Sequence, residues 1–188
     1  DNGNWDNRKY RINDIRNLNV GIIGYGNIGK KVGYLCHCFG ANVFAYDPYI
    51  EDDQFDEFTH KVTFDELLKN SDLISIHVPS NSETMNLMNK SKIKLMKKNS
   101  YLINTSRGGI VDEQALIESL KAKNIIGAAL DVLEDESPYG VSEQPLVNFS
   151  RDKDNVIITP HLGGSSYPYM EAIFMHAIDE IKHMLDNR

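Results

Sequence analysis

The feature that most constrains this chain is the spacing of three glycines in Gly24-Tyr25-Gly26-Asn27-Ile28-Gly29, between a β-rich run, Asn19 to Ile23, and a helical pattern over Ile28 to Phe39. Each glycine has its own use there: Gly24 permits a tight turn, Gly26 lets backbone approach a ligand with no Cβ in the way, and Gly29 allows the helix to pack closely on the sheet. The helix N-terminus then offers free N–H groups and a partial positive charge to an anion such as a pyrophosphate. Ala41 to Tyr46 reads as the next strand, and Asp47 closes it, 23 residues after Gly24. A carboxylate in that place accepts both hydroxyls of an adenosine ribose and repels a 2′-phosphate. Strand, helix and acid together point to a dinucleotide, with NAD favoured over NADP.

The rest of the chain repeats the pattern of apolar run, turn and helical stretch, the sequence image of a parallel sheet covered on both faces. Gly40 reads as a helix stop and Glu51 to His60 as a polar surface loop; Thr63 or Asp65 can cap a helix over Phe64 to Lys69. Leu73 to Val78 reads as a buried strand closed by Pro79, and Tyr101 to Asn104 as another. Asp112 caps a helix to about Ala122; Ile125 to Val132 and Val156 to Thr159 complete the strands, and Ser165 or Ser166 opens a last helix to about Leu185. Leu133 to Asn155 is an excursion without an element of its own. The fold expected is α/β, a Rossmann-type doubly wound, mainly parallel sheet of six or seven strands with helices on both faces.

Composition narrows the partners. With 20 Lys and Arg against 27 Asp and Glu, the net charge of −7 argues against nucleic acid, which calls for a basic patch. No apolar run approaches the roughly 18 residues of a spanning helix, and residues 1–14 are polar, unlike a secretory signal. Cys36 and Cys38 sit two apart in a helical pattern, where side chains face different ways, so neither a disulfide nor a metal site with His37 is expected. Thiols of this kind fit a reducing, cytoplasmic setting. The opening on Asp1-Asn2-Gly3-Asn4 in place of Met suggests an excised or processed piece.

Further motifs follow in order: His77-Val78-Pro79, Asn104-Thr105-Ser106-Arg107-Gly108-Gly109, Gly127-Ala128-Ala129-Leu130-Asp131-Val132 and Thr159-Pro160-His161-Leu162-Gly163-Gly164. With Gly24 to Gly29 and Asp47, they resemble the cofactor domain of the D-isomer-specific 2-hydroxyacid dehydrogenases from about Trp5 to Leu185. Within the family the likeness is greatest to the phosphoglycerate dehydrogenases, although lactate, glycerate and formate relatives share most of these motifs. The resemblance implies that Arg107 binds the substrate carboxylate, since its planar fork matches two carboxylate oxygens. It implies that His161 is the acid/base, and that Glu136, five residues after Asp131, pairs with His161 and fixes its ring. Glu134 is the other candidate in the same acidic run. Asp131 would contact the nicotinamide end; Val78, Pro79, Thr105, Ser106, Gly163 and Gly164, with Arg107 and His161 themselves, would line the cofactor, and the backbone of Asn27 and Ile28 would face the pyrophosphate. The family's loop has proline directly after the glutamate, whereas Ser137 intervenes here before Pro138.

The resemblance also bears on what surrounds these residues. Family members hold substrate, a small 2-hydroxy or 2-oxo acid, in a cleft between this domain and a second one built from both chain ends. Residues 1–188 would then be an NAD-binding domain, with 1–18 leading in from the interdomain segment, 165–185 forming the terminal helix, and the substrate domain absent. Cofactor binding with little turnover is expected of it alone, along with pairing into a homodimer through the cofactor domain. The alternative is an NAD-sensing binding module or corepressor-like scaffold on the same fold.

Overall fold

The computed structural model describes residues 14–137 and 141–186. Most of the lead-in segment and Pro138 lie outside the described residues. Among the described residues seven strands form one sheet: β1 (Asn19–Ile23), β2 (Asn42–Tyr46), β3 (Thr59–Lys61), β4 (Leu73–Ile76), β5 (Ser100–Asn104), β6 (Ile125–Leu130) and β7 (Val156–Ile158). They lie in the order β3-β2-β1-β4-β5-β6-β7, and every pairing is parallel. The chain winds outward from β1 to β3, returns to β4 on the other side of β1, and winds outward again. That reversal leaves a crevice beyond the carboxyl ends of β1 and β4, the place where open sheets of this kind hold ligands.

Among the described residues five helices connect the strands, α1 (Asn27–Cys38), α2 (Phe64–Asn70), α3 (Lys90–Leu95), α4 (Glu113–Lys121) and α5 (Pro145–Ser150), and α6 (Tyr167–Asp186) follows β7. Successive residues of a strand face opposite ways, so β1 serves two cores. Val20 and Ile22 join Tyr25, Val43 and Ala45 in an apolar cluster, while α1 packs on β1 and β2. Ile23 joins the larger cluster with Leu67, Leu68, Ile74, Ile76 and Leu116 on the side of α2 and α4. Gly21 is what lets α2 press on β1: a Cβ there would lie 2.7 Å from Leu67 Cδ2. In α6 every residue from 167 to 185 is exposed, including Phe174, Ile178 and Met184.

Several boundaries differ from the sequence reading, each for a local reason. The loop expected over Glu51 to His60 holds a 3-10 turn at Asp52–Gln54, and its end turns into the edge strand β3, whose three residues show too little alternation to be read as a strand. The helix α3 was not expected; its apolar content, Ile93 and Leu95, is sparse among lysines, and its start is set by Asn89, whose side chain accepts from Ser91 and Lys92 N–H. The excursion Leu133 to Asn155 contains a 3-10 turn at Val141–Glu143 and the helix α5, with Pro145 in its first turn. Of the two caps proposed for α2, Thr63 is the one used, in a reciprocal pair with Glu66, while Asp65 reaches Lys92 at 2.6 Å. Gly40, with φ +86°, ends α1 as expected. Cys36 is half-buried and Cys38 exposed, both as free thiols.

Candidate functional site

The turn after β1 is built for close approach. Gly24 adopts φ +88°, and a Cβ there would meet the His77 carbonyl at 2.6 Å and Val78 Cγ1 at 2.7 Å. The glycine turn and the segment after β4 are thus packed together at the crevice. Gly29 is closer still, for its Cβ would stand 2.0 Å from the Gly24 carbonyl oxygen, which only a glycine in the first turn of α1 allows. Gly26 is the opposite case: a Cβ there would meet nothing within 4 Å. The space in front of Gly26 is open, and α1 begins there with no side-chain cap and no acid in its first turn, so the backbone N–H groups of Asn27, Ile28 and Gly29 are left to an outside anion. A pyrophosphate fits that cradle.

Asp47, at the end of β2, is fixed by two backbone donors: Tyr25 N–H to Oδ2 and Tyr49 N–H to Oδ1, each at 2.9 Å. One lone pair on each oxygen is so engaged, and the second on each is available to a vicinal diol. Tyr25 is itself an anchor that sequence reading passed over. Its buried ring stacks on Phe55 at 4.9 Å, and its hydroxyl meets Asp56 and Thr59, each at 2.7 Å. Burial pushes that hydroxyl up to about 12, so it stays a donor. His77, after β4, faces the Ser75 hydroxyl at 2.9 Å and is held down to about 4 by burial, which keeps it neutral near pH 7. Val78 and Pro79 continue past it, the former half-buried and the latter exposed.

The turn after β5 is stapled by Asn104, a fully buried side chain. Its amide donates to the Arg107 carbonyl at 2.9 Å and its oxygen accepts Ser106 N–H at 3.0 Å, while the Ser106 hydroxyl donates to the Ile76 carbonyl. Thr105 and Arg107 are exposed on this turn, and Arg107 Nη1 donates to the Ser106 carbonyl. Among the described residues the Arg107 guanidinium pairs with no carboxylate. A buried asparagine at a strand's carboxyl end is the signal that could have marked Asn104 as the staple.

At the far end of the site, Asp131 follows β6 and holds the turn after β7. Its carboxylate accepts the Thr159 hydroxyl, Leu162 N–H at 2.8 Å and Gly163 N–H at 2.7 Å. Burial pushes this carboxyl up, but those three bonds, with the His161 charge, outweigh it and hold it below the usual carboxylate range. His161 sits on the turn so fixed, with φ +52°, a left-handed conformation in which a histidine is uncommon. Its backbone N–H donates to the Asp131 and Thr159 carbonyls. Glu136 Oε2 meets His161 Nδ1 at 2.7 Å, and Glu136 Oε1 accepts Leu133 N–H at 3.1 Å. Of the two acids considered in the run, Glu136 is therefore the one against the histidine; Glu134 donates its backbone N–H to Glu113 instead. An ionised carboxylate only accepts, so Nδ1 carries the proton and Nε2 is the ring nitrogen free to exchange one.

All of these groups lie at the carboxyl edge of a parallel sheet, and among the described residues no group of His, Cys, Asp and Glu could hold a metal ion. Among those residues, too, no helix is long and apolar enough to cross a membrane.

Comparison with known proteins agrees with this geometry. The family described as D-isomer specific 2-hydroxyacid dehydrogenase, NAD binding domain, matches residues 1–163. The D-3-phosphoglycerate dehydrogenase of Methanocaldococcus jannaschii is 37% identical over 185 residues, which are 97% of this chain and 34% of that protein. A D-isomer specific 2-hydroxyacid dehydrogenase from Lactobacillus delbrueckii ssp. bulgaricus, in its NAD-complexed form, superposes with a TM-score of 0.88 at 33% identity, over 97% of this chain and 57% of that one. The D-lactate dehydrogenase of Aquifex aeolicus, complexed with NAD and lactic acid, gives 0.87 at 34% identity, over 99% and 58%. This chain spans about a third of the curated relative's length and just over half that of the solved ones. These three similar proteins are dehydrogenases, and the scaffold alternative is not favoured. The glycine cradle, the ribose acid and the match over most of its length place this chain in the D-isomer-specific 2-hydroxyacid dehydrogenase family, as an NAD-binding domain.

Proposed function

We propose that this domain supplies the cofactor side of a site that moves a hydride between NAD and a D-2-hydroxy acid or its 2-oxo counterpart, D-3-phosphoglycerate being one candidate. The observation that carries the reading is the 2.7 Å contact between Glu136 and His161 Nδ1, on a turn that Asp131 clamps. NAD, when bound, gives or takes the hydride. Asn27, Ile28 and Gly29 N–H groups hold its pyrophosphate, Asp47 its adenosine ribose, and Val78, Pro79, Thr105, Ser106, Gly163 and Gly164 line its path. Arg107, free of any described carboxylate, binds the substrate's carboxylate with its planar fork. His161 Nε2 gives a proton to the ketone oxygen during reduction and takes it from the hydroxyl during oxidation. Glu136 keeps the ring turned for that exchange and offsets the charge of the imidazolium, and Asp131 keeps the turn in place.

In this reading residues 1–188 are one cofactor domain, and substrate is closed off by a further domain. The His161 side chain is 47% exposed, which supports cofactor binding with little turnover by these residues alone, because closure is what excludes water and fixes the reacting geometry. A homodimer through the cofactor domain belongs to the same proposal; exposed Tyr34, Leu35 and Phe39 on and just after α1 give it an apolar surface to use. So does a cytoplasmic setting, with which two free thiols agree. The test is turnover by a full-length protein carrying this domain, offered hydroxypyruvate, phosphohydroxypyruvate, pyruvate and 2-oxoglutarate with NADH. A rate on at least one, falling at least a hundredfold in both Arg107→Ala and His161→Ala, is expected; negligible rates on all four would overturn the reading.

A further inference from the structure

The pairing of Glu136 with His161 depends on where the backbone at Leu133 and Glu134 runs, and that stretch is gripped from two sides. On one side is Gly108, the residue after Arg107. A Cβ on Gly108 would stand 1.8 Å from the Leu133 carbonyl carbon and 2.3 Å from Glu134 N, so the two backbones touch. On the other side is Glu113, in the first turn of α4, whose Oε1 accepts Glu134 N–H at 2.7 Å. This carboxylate is not needed to cap α4, because Asp112 already accepts Ala115 N–H at 2.9 Å. It is half-buried and stands beside another acid. Burial pushes its carboxyl up, the Glu134 charge adds to the push, and the Glu134 N–H works against it. A carboxylate kept under those conditions, with one backbone N–H as its partner, has the character of a brace.

We propose that Glu113 is a positioning residue: by holding Glu134 N–H it sets the backbone from which Glu136 reaches His161, and it fixes that pair relative to the Arg107 turn. The chain of contact is continuous. Glu113 holds Glu134, the adjoining Leu133 N–H donates to Glu136 Oε1, and Glu136 Oε2 accepts the hydrogen bond from His161 Nδ1–H. Arg107 enters through Gly108, packed on the same two residues. Sequence reading missed Glu113 because it looks like an ordinary acid in the first turn of a helix, where acids are favoured anyway.

The inference rests on the proposed role of the Glu136 and His161 pair, and one experiment separates the two. Imidazole ¹⁵N shifts of His161, measured in the 188-residue chain above the ring's titration, report which nitrogen carries the proton. The wild type is expected to be mainly Nδ1–H. Glu136→Gln should switch it to mainly Nε2–H, because the amide now offers a donor to Nδ1. Glu113→Ala should move it the same way, and Glu113→Asp, too short to reach Glu134 N–H, should do likewise if the alanine variant does not fold. Glu113→Gln keeps an acceptor oxygen and should restore the wild-type tautomer, with NADH affinity within twofold of wild type as the control that the cradle is intact. If Glu136→Gln shifts the tautomer and neither Glu113→Ala nor Glu113→Asp does, the bracing role is wrong and the pair stands. A failure of Glu113→Gln to restore it in a folded protein also overturns the bracing role. If Glu136→Gln leaves the tautomer unchanged, the pair itself is refuted.

Discussion

The two halves of the site are made in different ways. Around β1 and β2 the cofactor cradle is backbone: three glycines within six residues, a helix start without a cap, and a carboxylate held by two main-chain N–H groups. Around β6 and β7 the acid/base end is held by side chains, with Asp131 reaching Thr159, Leu162 and Gly163, Glu136 reaching His161, and Glu113 reaching Glu134. A backbone cradle is fixed by local sequence and tolerates little change of volume. A clamp of side chains joins residues far apart in the chain and tolerates volume better than loss of a charge or an acceptor.

The largest effect expected on the clamped side is that of Asp131→Ala. It strands two N–H groups and a hydroxyl, and hydrogen bonds to a charged acceptor are worth enough that a stability loss on the order of 3 kcal/mol should appear in chemical denaturation. The His161 ring should lose its Nδ1–H preference in the same protein. A loss below about 1 kcal/mol would show the clamp to be replaceable, and the contrast between the halves would weaken.

On the cradle side, Gly29→Ala and Gly26→Ala should part company. The first drives a Cβ into the Gly24 carbonyl, and overpacking of this kind costs about 1–3 kcal/mol, visible in a thermal melt. The second adds a methyl to open space, so stability should stay within about 1 kcal/mol of wild type. NADH binding should weaken at least tenfold in both, which calorimetry would read. If Gly26→Ala binds NADH normally, the pyrophosphate does not lie where the open space is.

Acidification tests the boundary between the halves. His77 is held at about 4 in the fold against 6.5 ordinarily, so as the pH falls below 6.5 the unfolded chain takes up this proton first. Its stabilising share is full above 6.5 and lost by the time the pH passes through about 4. Denaturation midpoints should fall across that window, and His77→Gln should fall less steeply. The low carboxyl of Asp131 works in the same direction but further down, its share being present above the usual carboxylate range and lost as the pH drops through its folded value. The smallest change is expected away from both halves. Thr63→Ala removes the cap of α2 and should cost about 1 kcal/mol with NADH affinity unchanged.

The same contrast explains what could be read in advance. Gly24, Gly26, Gly29 and Asp47 are legible because their uses depend on spacing along one strand-turn-helix-strand unit, and the alternation of apolar runs gave the sheet its class. Glu113 was not, since its partner Glu134 is set by tertiary packing and nothing in the local pattern distinguishes a bracing acid from a solvated one. Glu136 stood between these cases: resemblance singled it out of an acidic run ahead of Glu134, while its contact with His161 is made by tertiary packing. The edge strand β3 and the helix α3 escaped notice because both are short and weakly patterned.

The backbone cradle and Asp47 should make this chain an NAD-binding domain that prefers NAD to NADP. Calorimetric titration of the chain with NADH and with NADPH, repeated on Asp47→Ala, tests it most directly. Saturable NADH binding, at least tenfold weaker NADPH binding and loss of that preference in the variant are expected. A folded chain that binds neither, or a preference that survives the loss of Asp47, would contradict it.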